Sequence, residues 1–156
     1  MYYFMKPKSV RLRPVEIIAE DKAKTATEAM VSARQTSQQH EMKLTELLRY
    51  RTEYLDQFQS KGKTGISAGQ LQQYQQFISQ LDTAIAHQQQ VLRTAKQELS
   101  HKQQHWRSKD SEKRAINKAV DRFRKHEVRK EENKEQTALD EHNIQSHIRK
   151  NDSEDN

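Results

Sequence analysis

Apolar residues recur along this chain at alternating intervals of four and three. Starting at Ala19, the series runs Ala19, Ala23, Ala26, Met30, Ala33, Ser37, His40, Leu44, Leu47, Arg51, Tyr54, Phe58, and nine of these twelve positions are apolar. A second series runs Leu71, Tyr74, Ile78, Leu81, Ile85, Gln88, Leu92, Ala95, Leu99, Lys102, Trp106. A repeat of this kind, sustained over several heptads, predicts a helix that buries one narrow seam. Folding the chain back between the two series sets Phe58 against Leu71, Leu47 against Leu81, Leu44 against Ile85, Ala33 against Ala95 and Ala23 against Trp106. The register stays constant along the whole overlap, as an antiparallel pair requires.

The fold-back point is marked by breakers. All three glycines lie in Gly62-Lys-Thr-Gly-Ile-Ser-Ala-Gly69, and the two prolines are Pro7 and Pro14. Glycine and proline are the strongest interrupters of helix. Ser67 and Gln70 have the spacing of a capping box, Ile66 and Leu71 that of a hydrophobic staple. Gly62 or Gly65 suits a left-handed cap on the first helix. The resulting expectation is an all-α chain of two long helices forming an antiparallel coiled-coil hairpin with a longer C-terminal arm. Residues 1–14 are a flexible basic arm, 15–61 the first helix and 62–69 the turn. Residues 70–150 are the second helix, overhanging beyond about residue 113, and 151–156 are a disordered acidic tail.

The seam is graded. Leu, Ile, Tyr and Phe near the turn are each worth roughly 1.5–3 kcal/mol when fully buried, whereas the outer first helix offers mainly alanine. His40 against Gln88 forms a polar layer, a device that fixes register at some cost in stability. A firm tip and a frayed open end follow. Beyond the overlap, Ile116, Val120 and Phe123 continue an apolar stripe with nothing on the first arm to cover it, a candidate docking surface.

Composition agrees with a thin core. Of 156 residues, 32% are hydrophobic and 32% charged, against roughly 45–50% apolar in ordinary globular domains. No cysteine is present, which removes disulfides and thiolate metal sites. The apolar start, Met1-Tyr-Tyr-Phe-Met5, meets Lys6 at once and is too short for a signal-peptide core or a membrane span. The net charge is +6, and residues 102–130 alone carry +7. Such a segment seeks an acidic partner: nucleic acid, anionic lipid or an acidic protein surface.

Sites for catalysis are not evident. Gly62-Lys63-Thr64 lacks the earlier glycine of a phosphate loop, where Gln57 stands. His101 and His105 have the i, i+4 spacing of a two-histidine metal site but no evident third ligand. A two-helix hairpin has no cleft to exclude water. Neither an enzyme nor a cofactor is expected, and no metal site.

The turn and its flanks carry a resemblance. Leu47-Leu-Arg-Tyr-Arg-Thr-Glu-Tyr54, Gly65-Ile-Ser-Ala-Gly-Gln-Leu-Gln-Gln-Tyr-Gln-Gln-Phe-Ile-Ser-Gln-Leu-Asp-Thr-Ala-Ile85, Trp106 and Glu112-Lys-Arg114 resemble the FliJ family of flagellar export proteins, over roughly residues 15–135. The Tyr-rich start and the acidic tail lie outside the pattern. The resemblance implies an antiparallel coiled coil like the stalk of a rotary ATPase, in the cytoplasm and peripheral to the inner membrane at the flagellar base. It implies three partners: the flagellar export ATPase ring, the cytoplasmic part of the export-gate membrane protein, and export chaperones. The free protein is expected to be a monomer that binds no nucleic acid.

By the same resemblance, gate binding falls on Leu47, Tyr50, Tyr54, Phe77, Leu81 and Ala84, with two polar family contacts at Lys43 and Gln88. Leu47, Tyr54 and Leu81 also lie in the packing seam; Tyr50 and Phe77 lie off it and are the expected exposed contacts. ATPase contacts are expected near the open end, in residues 15–30 and 112–130, on Lys113, Arg114, Ile116, Val120, Arg122 and Phe123. Charge and pattern alone leave two other readings: a basic coiled-coil nucleic-acid binder, and a structural coiled coil that self-assembles.

Overall fold

A computed structural model describes residues 5–154, with side chains through Lys150. The elements are α1 (Lys8–Arg11), α2 (Arg13–Gly62) and α3 (Ala68–Glu154), and no strand occurs among the described residues. The expected all-α architecture is observed, with a C-terminal helix of 87 residues against 50 for α2. Contacts divide the chain into two units: Ala23–Lys109, and Met1–Lys22 with Asp110–Asn156.

The unit Ala23–Lys109 is the antiparallel hairpin. Its turn forms as the residues dictate. The Ser67 amide donates to Gln70 Oε1 at 3.1 Å and the Gln70 amide donates to Ser67 Oγ at 3.2 Å, closing the capping box. Gly65 takes a φ of +93°, which an L side chain rarely adopts. The staple does not form as expected. Leu71 is exposed, and Ile66 folds back toward Gly62, where an added Cβ would meet its Cδ1 at 3.9 Å.

Across the hairpin, Leu81, Ile85, Gln88 and Leu92 of α3 are buried, as are Ala23, Ala26 and Ser37 of α2. In each case these are seam positions. The polar layer is present: Gln88, only 7% exposed, donates through Nε2 to the His40 carbonyl at 3.0 Å and lies 3.3 Å from His40 Nδ1. Ion pairs also join the two helices: Arg51 Nε, at a seam position, donates to Asp82 Oδ1 at 2.6 Å, and Lys96 stands 3.6 Å from Glu41. The Asp82 hydrogen bond raises the Arg51 pKa above its usual value.

The unit formed by residues 5–22 and 110–154 corrects three expectations. Residues 7–14 are not an irregular arm. Pro7 stands just before α1, where its carbonyl accepts from Val10 and Arg11 at 3.1 and 3.0 Å. The Glu16 amide donates to the Leu12 carbonyl at 3.0 Å near the start of α2. Pro14 therefore falls in a first turn, where amides have no intrahelical partner and a missing N–H costs nothing. The part of the arm before Met5 lies outside the described residues.

The second correction concerns the stripe on α3. Val120 is 1% exposed, the most deeply covered side chain described, and Ile116 and Phe123 are half-buried. Residues 8–22 supply the cover: Glu16 and Ala19 are buried, Ser9 bonds to Glu127 through its amide at 3.1 Å and its hydroxyl at 2.5 Å, and the Lys8 ammonium lies 5.4 Å above the Phe123 ring. With the first arm extended by α1, the stripe is packed and not overhanging. Third, α3 continues through Asn151–Glu154 instead of giving way to disorder. No Gly or Pro follows Gly69, and adding a residue to a formed helix is far easier than nucleating one. Residues 155 and 156 of the expected tail lie outside the described residues.

The frayed open end is likewise not observed. Ala19, Ala23 and Ala26 are covered, whereas Tyr54, Phe58, Tyr74 and Phe77 near the turn are only half-buried. Small side chains let two helices approach until little of either seam stays wet. Rings hold the helices further apart and leave their edges in water.

Candidate functional site

The residues tied to gate binding gather near the turn, inside the hairpin unit. Tyr50 and Tyr54 stand four apart on α2 and so share a face; Phe77 approaches them from α3. Ring centroids are 6.1 Å apart for Tyr50 and Phe77, edge-on, and 4.4 Å apart for Tyr54 and Phe77. Tyr50 and Tyr54 are 6.5 Å apart. The cluster continues through Tyr74, stacked 5.2 Å from Tyr54 and 3.5 Å from Phe58. Pairs of this geometry add about 0.5–1.5 kcal/mol beyond the area they cover.

This ladder revises the register at the tip. Phe58 lies on Tyr74, not opposite Leu71, and Leu71 is left in water. A ring reaches diagonally to the neighbour that offers the larger face, a preference that heptad counting does not contain. Burial pushes the Tyr74 hydroxyl pKa up, the neighbouring Tyr54 adds to it, and Arg51 opposes it. That hydroxyl is enclosed and has no hydrogen-bond partner. Tyr54, Phe58, Ile66 and Tyr74 also border a shallow hollow of about 430 Å³ beside the turn.

The six positions are not equivalent. Tyr50 is 50% exposed and Ala84 is exposed, so both can meet a partner directly. Leu47, Tyr54 and Phe77 are half-buried, and Leu81 is buried in the seam. Phe77, expected to stand free, is held between two tyrosines. Lys43 is exposed, and Gln88 is engaged in the layer with His40.

The residues tied to ATPase binding lie along α3 in the other unit. Arg114 and Lys113 both pair with Asp110, at 2.5 and 3.6 Å. Arg122 is exposed, with its Nε 3.4 Å from the Lys118 carbonyl. Val120 cannot be a contact residue, since it lies inside the packing. The Ser9–Glu127 bond was missed because Pro7 and Pro14 read as helix breakers; a proline tolerated in a first turn is the signal that locates it. The Ser9 hydroxyl, then its amide, hold the Glu127 carboxyl below its usual pKa.

Among the described residues no three histidine or carboxylate side chains gather as a metal site, His101 and His105 included. No helix is long and apolar enough to cross a membrane. Against known families, the model for the flagellar FliJ protein matches residues 7–152. This chain belongs to the FliJ family. It is accordingly a component of flagellar protein export, in a family of non-enzymatic export components. No curated protein and no solved structure matches it. The family match of this FliJ chain begins at Pro7, after the run Met1-Tyr-Tyr-Phe-Met5.

Proposed function

We propose that this FliJ-family protein is a stalk-like adaptor of flagellar export, which stimulates the export ATPase ring, contacts the cytoplasmic part of the export gate and receives export chaperones. The family match over residues 7–152 carries this reading. The half-exposed aromatic face of Tyr50, Tyr54 and Phe77 supports the gate contact, because partly exposed rings on a rigid support are typical anchors at interfaces. Exposed Arg114 and Arg122 on α3, with half-buried Ile116 and Phe123 on another face of the same helix, support the ATPase contact. The protein works in the cytoplasm, against the inner face of the membrane.

Added to its cognate export ATPase, the full chain should raise hydrolysis and favour ring assembly. Arg114→Glu with Arg122→Glu should abolish that effect while circular dichroism stays unchanged. Tyr50→Ala should weaken capture of the gate's cytoplasmic part at least tenfold and leave ATPase stimulation intact. A purified chain that neither stimulates nor assembles the ATPase would refute the reading.

A further inference from the structure

The start of α2 has two apolar faces, and contacts within the chain use one of them. Glu16 and Ala19 are buried in the packing of their unit. On the opposite side stand Val10, Pro14, Ile17 and Ile18, all exposed, Ile17 at 52% and Ile18 at 55%. Their spacing carries across the α1–α2 junction because Leu12 keeps right-handed helical angles, φ −85° and ψ −9°. On a helix of 3.6 residues per turn the four form one stripe. Exposed Arg11 lies along one edge of it and exposed Arg13 along the other; Arg13 also pairs with Glu16 at 3.0 Å.

In the same unit α3 runs on past the Ser9–Glu127 bond, and every residue from 131 to 150 is exposed. Most helices owe their stability to the packing of an apolar face, and this segment carries one. Ile144 and Ile148, 61% and 55% exposed, stand one turn apart, with Asp140 on one edge and Glu141 on the other. The charges of the two stripes are opposite. Residues 131–148 hold five carboxylates against Lys134, a net −4, and residues 6–18 hold four bases against Glu16, a net +3. Within one chain the stripes cannot meet. Ser9 stands beside Glu127, Ile144 lies about 25 Å further along α3 at 1.5 Å per residue, and the α2 stripe faces away from α3. Between two chains they can. With two α3 helices antiparallel, each overhang runs parallel to the other copy's α2 start, which lies between the two α3 helices. The two contacts are then identical and related by a twofold axis, so the assembly closes at two copies. An unrelated acidic partner on the α2 stripe would leave Ile144 and Ile148 in water; a second copy covers both stripes.

We propose that this protein pairs with a second copy of itself through this reciprocal contact. Ile144 and Ile148 of each overhang pack on Pro14, Ile17 and Ile18 of the other copy, while Asp140 and Glu141 meet Arg11 and Arg13. The free chain is then a dimer in place of the expected monomer. This inference does not rest on the export-adaptor reading, and the ATPase plays no part in its test.

The test is sedimentation of the full chain over a concentration series. It should show a species of twice the 18.5 kDa chain mass that dissociates as salt is raised, because exposed charges are screened. Ile17→Asp with Ile18→Asp, and in a separate variant Ile144→Asp with Ile148→Asp, should each raise the dimer dissociation constant at least about tenfold, with unchanged circular dichroism. Mixing these two variants should restore pairing in part. A mixed pair keeps one contact with both of its faces intact, whereas either variant alone keeps none. A monomer at every concentration, polymers longer than the dimer, or a dimer indifferent to salt would each overturn the proposal. So would either variant pairing like the parent, or a mixture that pairs no better than its components.

Discussion

The two units pack by opposite means. Near its turn the hairpin unit Ala23–Lys109 relies on large rings, Tyr54, Phe58, Tyr74 and Phe77, all half-exposed. The unit of residues 5–22 and 110–154 relies on Ala19 and Val120, small side chains almost wholly covered, and on Ser9 clasping Glu127. Fractional cover and stabilising area are different quantities. A half-buried ring removes more apolar surface from water than a fully buried alanine does. What complete cover adds is intolerance: a covered position admits neither a charge nor extra volume, whereas a half-exposed ring remains free to bind something else. The ring-packed region is thus suited to docking, and the small-residue region to holding helices in register.

The sharpest way to break this contrast is Val120→Asp. A carboxylate there has no partner, and the pairing of residues 8–22 with α3 should lose at least about 3 kcal/mol. Amide exchange in residues 8–22 should rise together with the loss. Wild-type exchange would mean that Val120 is not enclosed. In the hairpin unit, Leu81→Ala should cost about 2–5 kcal/mol in urea unfolding. Tyr50→Ala, at a half-exposed ring, should cost under about 1 kcal/mol. If the two cost the same, the division between seam and docking face is wrong.

Turn chemistry gives smaller effects. Gly65→Ala should cost about 1–2 kcal/mol, because its backbone sits at positive φ with open space around it and the penalty is conformational alone. Tyr74→Phe should leave stability unchanged or raise it by up to about 1 kcal/mol, since it removes an enclosed hydroxyl with no partner. A loss above 1 kcal/mol in thermal unfolding would show that the hydroxyl is satisfied.

The Ser9–Glu127 clasp predicts a pH effect of definite sign. Glu127 titrates below its usual value because Ser9 hydrogen-bonds the ionised form, and nearby His126 favours that form too. Its contribution is therefore present above the unfolded carboxylate pKa and lost as pH falls through the lowered folded value. Amide exchange in α1 should speed up on acidification below about pH 4. Glu127→Gln should remove most of that dependence; an unaltered pH profile in this variant would assign the effect to another carboxylate.

The sequence by itself determined the two seams, the turn with its capping box, and the His40–Gln88 layer. All three depend on local spacing and on backbone preferences that read directly from neighbouring residues. Every one of the twelve seam positions counted on α2 is at least partly buried, and on α3 Leu71 alone is exposed. Leu71 shows where local counting ends: only the ring of Tyr74, close enough to take Phe58, decides which of two neighbours is covered. The tertiary structure also decided that Val120 lies inside and not outside. That outcome turns on whether Pro7 and Pro14 break a helix or begin one. A proline is compatible with either, and contacts between residues more than a hundred positions apart, Ser9 with Glu127, accompany the choice the chain makes.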